Sequence, residues 1–258
     1  MKRFLATLIA TLLITLPAIA AELVVVAGGS GRTGQETVKA LLAAGYAVRA
    51  TTTNVERAET RFPTLDVEWV KMDVRKLDEI RDALQGADYL ISAIGGSCRD
   101  PGGPNSPRYV DYEGTVAMAG VARTLGLKQM VTVSAANAGV ADQPLNEFCD
   151  NVQMWKWLGE DYLRDSSLPY TIVRPGGLTD EEGGEQGIDI RAPKVGNRGP
   201  QIPRADVAAV LVAALGNPEA VGKTVEIFGE PAGDPQDWTD DFVDVPADAA
   251  QAPALRRE

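Results

Sequence analysis

The sequence predicts an α/β fold: a doubly wound parallel sheet in a single domain, followed by an irregular acidic C-terminal tail. Three observations carry this. Short β-rich runs alternate with helix-period stretches from residue 22 onward. The first run, Leu23 to Ala27, is apolar without interruption, as in a strand buried on both faces. A glycine-rich turn follows that run directly and opens a helix.

The elements follow in order. After the first strand, Gly31 to Ala44 reads as a helix stopped by Gly45. Tyr46 to Thr51 and Val67 to Met72 are strands two and three. Lys76 to Gln85 is a helix ended by Gly86, and Asp88 to Ile94 is the fourth strand. A Gly/Pro-rich loop from Gly95 to Pro107 leads into a helix reaching about Thr124. Lys128 to Ser134 is strand five, Asn146 to Asp165 a helix, and Tyr170 to Val173 strand six. Arg204 to Leu215 is a strongly apolar helix, and Thr224 to Phe228 the last strand. Residues 21–230 thus form the domain. Residues 231–258, rich in Asp and Pro, form the acidic tail, whose Trp238 and Phe242 are candidates to pin its first half to the body.

At 258 residues the chain holds one large domain. Its formal net charge of -11 argues against nucleic acid and anionic membrane surfaces as partners, both of which require a basic footprint. Histidine is absent. This excludes a Ser-His-Asp triad, a Cys-His pair and every zinc site with a His ligand. Residues 1–20 read as a secretory signal peptide: Lys2 and Arg3, an apolar run from Phe4 to Leu16, and Ala18-Ile19-Ala20 as a cleavage site. On that reading the protein is exported, periplasmic or secreted, with no other membrane segment. The competing readings are an uncleaved anchor and a first core helix.

The turn Gly28-Gly29-Ser30-Gly31-Arg32-Thr33-Gly34 is the most specific feature. A tight strand-to-helix turn needs positive φ, a pyrophosphate needs backbone without Cβ in its way, and helix–sheet packing needs a small residue one turn on. The helix N-terminus then offers N–H donors and partial positive charge. This is the fingerprint of a Rossmann-type domain binding a dinucleotide. The second strand ends in Thr51-Thr52-Thr53-Asn54, without the carboxylate that usually receives a free ribose 2′-OH. With Arg32 in the turn, the pattern favours NADP, with NAD possible. Arg32 also reads as a solvated helix-start residue. Asp73 and Val74 after the third strand, and Ala93-Ile94-Gly95 after the fourth, lie at carboxyl strand ends, where ligands bind in such sheets. Asp73 reads equally as an acceptor for the adenine amino group or as a helix cap.

With these residues in place, the chain resembles the atypical short-chain dehydrogenase/reductase family, in the branch with NmrA-like and biliverdin-reductase-B-like members. The resemblance covers residues 22 to about 230. It is carried by GGSGRTG, by VDYEG at Val110 to Gly114, by VTVSA at Val131 to Ala135, by Lys156 to Leu178 ending YTIVRPGGL, and by IPRADVA at Ile202 to Ala208. It implies that Ser134 and Lys156 flank the nicotinamide ribose as catalytic residues, and that Pro175, Gly176 and Gly177 contact the carboxamide side. The family's Tyr-x-x-x-Lys pattern is broken here: Val152 stands four residues before Lys156. Tyr109, Tyr112 and Tyr162 are substitutes only if geometry brings them close, and a pair with Glu160 at i+4 is the alternative role for Lys156.

Cys98 and Cys149, the two cysteines, are open to two readings, a disulfide or two free thiols. Two functional readings also stand. One is an NADP-dependent oxidoreductase acting on a small carbonyl, quinone or flavin-like acceptor. The other is a non-catalytic nucleotide-binding sensor.

Overall fold

The computed structural model describes residues 21–235 and 238–248. The elements run β1 (Leu23–Ala27), α1 (Arg32–Ala43), β2 (Ala47–Thr52), α2 (Val55–Arg61), β3 (Glu68–Lys71), α3 (Leu77–Leu84) and β4 (Tyr89–Ser92). A π-helical turn, Arg108–Gly114, then feeds α4 (Thr115–Leu125), β5 (Gln129–Val133), α5 (Pro144–Phe148) and α6 (Val152–Asp165). After them come β6 (Tyr170–Pro175), β7 (Leu178–Thr179), β8 (Gly187–Arg191), β9 (Ile202–Pro203), α7 (Arg204–Ala214) and β10 (Lys223–Glu230).

The main sheet has the order β3-β2-β1-β4-β5-β6-β10-β8. Every pairing in it is parallel except β10 with β8. This is the doubly wound sheet expected, with its direction reversal between β1 and β4. Successive side chains of β1 point to opposite faces. Val24 and Val26 join a core with Val38 and Leu41 of α1 and Val207 and Leu211 of α7. Val25 and Ala27 join the opposite core with Ile80 and Leu84 of α3, Met118 of α4 and Leu163 of α6. Both faces are therefore covered by helices, which explains the apolar strands. No described helix is long and apolar enough to cross a membrane.

Four features depart from the sequence reading. Helix α2 is capped by Asn54, whose side chain accepts from the Arg57 N–H. The stretch between β6 and α7 holds β7, β8 and β9; β7 and β9 pair with each other. The entry to α4 is π-helical. The helix expected over 146–165 is broken, because Asp150 (φ 47°) and Asn151 (φ 56°) lie in the left-handed region between α5 and α6.

The C-terminal segment is packed where it is described. Trp238, Phe242 and Val245 are buried in the α1/α7 core. Asp248 is buried and accepts from the Tyr170 hydroxyl (2.9 Å), the Thr224 N–H (2.8 Å) and hydroxyl (2.7 Å), and the Arg164 Nε (3.2 Å). Arg164 also pairs with Glu160 (2.7 Å), which receives the buried Arg174 guanidinium through both its carboxylate oxygens. Burial opposes the Glu160 charge, yet Arg174 and Arg164 hold its carboxyl below the usual carboxylate range. A group whose folded pKa is depressed stabilises the fold above its unfolded pKa and loses that contribution as pH falls through the folded value. Urea unfolding across pH is expected to give constant stability from pH 7 to about 5.5 and a steep fall below about 4. A stability maximum below pH 4 would contradict this assignment.

Candidate functional site

The turn after β1 gathers the first half of the site. Gly28 takes φ +78°, a conformation open to glycine, and its carbonyl accepts from the Gly31 N–H at 2.9 Å. A Cβ on Gly34 would overlap the Gly28 backbone, so α1 can approach the turn only with glycine there. Gly31 itself has ordinary extended angles (φ -75°, ψ 169°). Its lack of a side chain matters for the space above it.

That space is a cavity of about 310 Å³ at the carboxyl ends of β1 to β4. The structure brings Gly28, Ser30, Gly31, Thr52, Thr53, Asp73, Val74, Ala93, Ile94 and Gly95 together around it, all expected from the sequence. Ser30 Oγ donates to Thr52 Oγ1 at 3.0 Å, tying the turn to the end of β2. Arg75, Ser97 and Asn105 also line the cavity and were missed. Asp73 does not wait free for an adenine amino group. Its carboxylate holds Arg75 at 2.7 and 2.5 Å, and this contact keeps its carboxyl below the usual range despite partial desolvation. It also accepts from the Arg75 N–H, as a capping residue does.

Arg32 is not in the cavity wall. Its guanidinium reaches across to Asp180, just after β7, at 2.9 Å, and Arg204 at the start of α7 binds the same carboxylate at 2.5 Å. Thr33 lies in the first turn of α1, where its carbonyl accepts from the Thr37 hydroxyl. It is Arg75, and not Arg32, that shares the cavity wall with Thr52 and Thr53 at the end of β2.

A second, much smaller cavity adjoins the first through Ile94 and is lined also by Asp111, Thr115, Thr132, Ser134, Lys156 and Glu160. Lys156 Nζ sits 2.5 Å from Asp111 Oδ1, and Asp111 is almost fully buried. The other Asp111 oxygen accepts from the Gly96 N–H at 2.8 Å. A Cβ on Gly159 would fall 2.7 Å from the Asp111 carbonyl, so a glycine lets α6 lie close against the π-helical turn. The i+4 pair of Lys156 with Glu160 is not formed; Glu160 is taken by the two arginines. Val152, in the position of the family tyrosine, is buried in the first turn of α6. Tyr112 stacks on Trp155, Tyr109 lies under Arg108, and Tyr162 is exposed, so none of the three lines this cavity. Pro175, Gly176 and Gly177 lie outside both cavities. Gly176 is pressed against Phe228, and the Gly177 carbonyl accepts from the Ile202 N–H at 2.8 Å.

Cys98 and Cys149 are joined in a disulfide, which decides between the two readings of the cysteines.

The site is thus a glycine-rich turn, a cavity at the switch point of the sheet, and a lysine beside it. These residues fit a dinucleotide: Gly31, the N-cap of α1, lines the cavity without a side chain, so the first N–H groups of the helix are open to a phosphate. A profile of NAD(P)H-binding proteins matches residues 28–218. The chain belongs to the NAD(P)H-binding family. A chloroplastic protein of Arabidopsis thaliana is 33% identical over 232 residues, 81% of this chain and 70% of that one. Sanguinarine reductase of Eschscholzia californica is 34% identical over 133 residues, 49% of this chain and 48% of that one. Among solved structures, a putative NAD-dependent epimerase/dehydratase from Bacillus halodurans superposes with a TM-score of 0.74 at 24% identity, covering 87% of this chain and 99% of that one.

The relatives correct one expectation. The signal peptide and the periplasmic or secreted location were read from residues 1–20, which lie outside the described residues. The Arabidopsis relative is chloroplastic, as are the TIC 62 proteins of Pisum sativum and Arabidopsis thaliana, of which this chain spans 43% and 36%. The export reading does not stand against them. A basic start and an acid-free stretch are common to several kinds of targeting segment, so the pattern alone does not single out secretion.

Proposed function

We propose that the protein is an NADP-linked oxidoreductase that reduces a small carbonyl, quinone or flavin-like acceptor, with Lys156 in place of the usual tyrosine as the polar group nearest the chemistry. The observation that carries this reading is the pair of a half-buried Lys156 with a buried Asp111, lining the small cavity beside the nucleotide cavity, in a chain with Val152 in the tyrosine's sequence position. The reduced nicotinamide supplies a hydride when bound. The chain's own residues do the rest. The turn from Gly28 to Gly34 holds the pyrophosphate on the N-terminus of α1. Ser30, Thr52 and Thr53 offer hydroxyls to a ribose 2′-phosphate, and Arg75 offers its charge. Asp111 orients the Lys156 ammonium, which stabilises negative charge developing on the acceptor or donates a proton to it.

The test is NADPH oxidation followed with a panel of quinones and small carbonyls. Lys156→Met is expected to lower kcat by about 10²-fold, within the range for loss of a positioned proton donor. Asp111→Asn is expected to lower it less, since the lysine remains. The competing sensor reading draws on the small size of the Lys156 cavity, about 10 Å³. NADPH binding without turnover of any acceptor would favour the sensor.

A further inference from the structure

The Cys98–Cys149 disulfide joins two segments that serve different halves of the site. Cys98 lies in the loop after β4, which contributes Gly95, Ser97 and Asn105 to the nucleotide cavity. The same loop is tied to the lysine side, because the Gly96 N–H binds Asp111. Cys149 ends α5 and stands three residues before α6, the helix that carries Lys156. A second tie runs beside the disulfide, from the Gly102 N–H to Asp150 Oδ2 at 2.9 Å.

The chain immediately after Cys149 is held in an uncommon conformation. Asp150 and Asn151 are consecutive non-glycine residues in the left-handed region, and Asn151 begins α6 without a side-chain cap. Such a conformation persists where its surroundings fix it; here the disulfide and the Asp150 contact act beside the Asn151 N–H, which donates to the Asn146 carbonyl at 3.0 Å. The two cysteines differ in access: Cys98 is an exposed residue and Cys149 a buried one. An incoming thiolate therefore reaches Cys98.

We propose that this disulfide is a reversible, thiol-exchangeable clamp whose reduction loosens the nucleotide cavity and the start of α6 together. The co-reactant is a dithiol. Its thiolate bonds to Cys98 Sγ, the Cys98–Cys149 bond breaks, and the Cys149 thiolate takes up a proton. The second thiol of the reductant then displaces Cys98, which takes up the other proton. The protein gains two electrons and two protons, and the dithiol becomes a disulfide. Once released, Asp150 and Asn151 can leave the left-handed region, and the first turn of α6 can refold. The change stays local, because Asn146 still binds the Val140 and Ala141 carbonyls and the Gln153 N–H.

The proposal uses the nucleotide reading only for its affinity readout, so the test has a second one. The full chain is compared oxidised and after dithiothreitol, with thiols counted by mass. Reduction under native conditions is expected to raise hydrogen exchange in 96–106 and 149–156 and to weaken NADPH binding by about tenfold. Reoxidation should restore both. Cys98→Ser should match the reduced protein and ignore dithiothreitol. A bond that resists dithiothreitol in the folded protein would overturn the clamp. So would a reduced protein whose exchange in both segments is unchanged. If NADPH bound neither form while exchange still responded, the clamp would stand and the nucleotide reading would fall.

Discussion

Replacing Glu160 with alanine is expected to destabilise the protein more than any other single change at the site. Arg174 is among the largest fully buried side chains, and its guanidinium is bound by Glu160, with Glu226 at 3.9 Å. Glu226 is itself engaged by the Asn137 N–H and the Asn197 side chain, so it cannot simply take over. Removing one partner of a buried pair leaves an uncompensated charge, at a cost of about 3–5 kcal/mol. For a domain of this size that corresponds to a fall of roughly 6–20 °C in Tm. Arg164 loses a partner too, but it keeps Asp248. Glu160→Gln, which retains an acceptor, should cost distinctly less. Calorimetry of the three proteins decides the matter. A Glu160→Ala variant melting within about 2 °C of the parent would show that the network does not bear on folding.

This network also shows what could be read from the residues and what could not. The glycine turn was legible because Gly28 and Gly34 answer local steric demands, a positive φ and a close backbone approach. The cavity around β2 to β4 followed, since ligands in such sheets collect at the carboxyl ends of strands. The direction of a long side chain has no such local determinant. Arg32 was read as a group favouring NADP or as a solvated helix-start residue, and its side chain turns to Asp180, 148 residues away in sequence. Arg75 lies two residues beyond Asp73 and was passed over, although a nearby Asp-x-Arg pattern offered the pair. Asp111 stood within the VDYEG segment, but its partnership with Lys156 depends on a π-helical turn and on Gly159 allowing α6 to approach. The break between α5 and α6 did have a signal. Asp and Asn, the types at 150 and 151, are those that after glycine best tolerate left-handed angles.

Gly31→Val is expected to abolish nucleotide binding while leaving the fold intact. The angles of Gly31 are open to any residue, and a Cβ there would meet the Gly28 carbonyl at 3.1 Å, a contact tight enough to need a small adjustment. The packing cost is therefore modest, and Tm should move by only a few degrees. The effect on the ligand is another matter. Gly31 is the N-cap of α1 and lines the cavity, so an isopropyl group there would stand where a pyrophosphate must approach the first N–H groups of the helix. Loss of two charge-assisted hydrogen bonds, at about 1.5–3 kcal/mol each, corresponds to roughly 10²–10⁴ in affinity. Gly31→Ala should fall between the two proteins. Gly34→Ala differs in kind, because its Cβ would overlap the Gly28 backbone, and it should lower Tm as well as affinity. Titrating NADPH into the three variants, alongside their melting curves, separates blocking the phosphate from damaging the turn. Unchanged affinity in Gly31→Val would place the phosphates away from the N-terminus of α1.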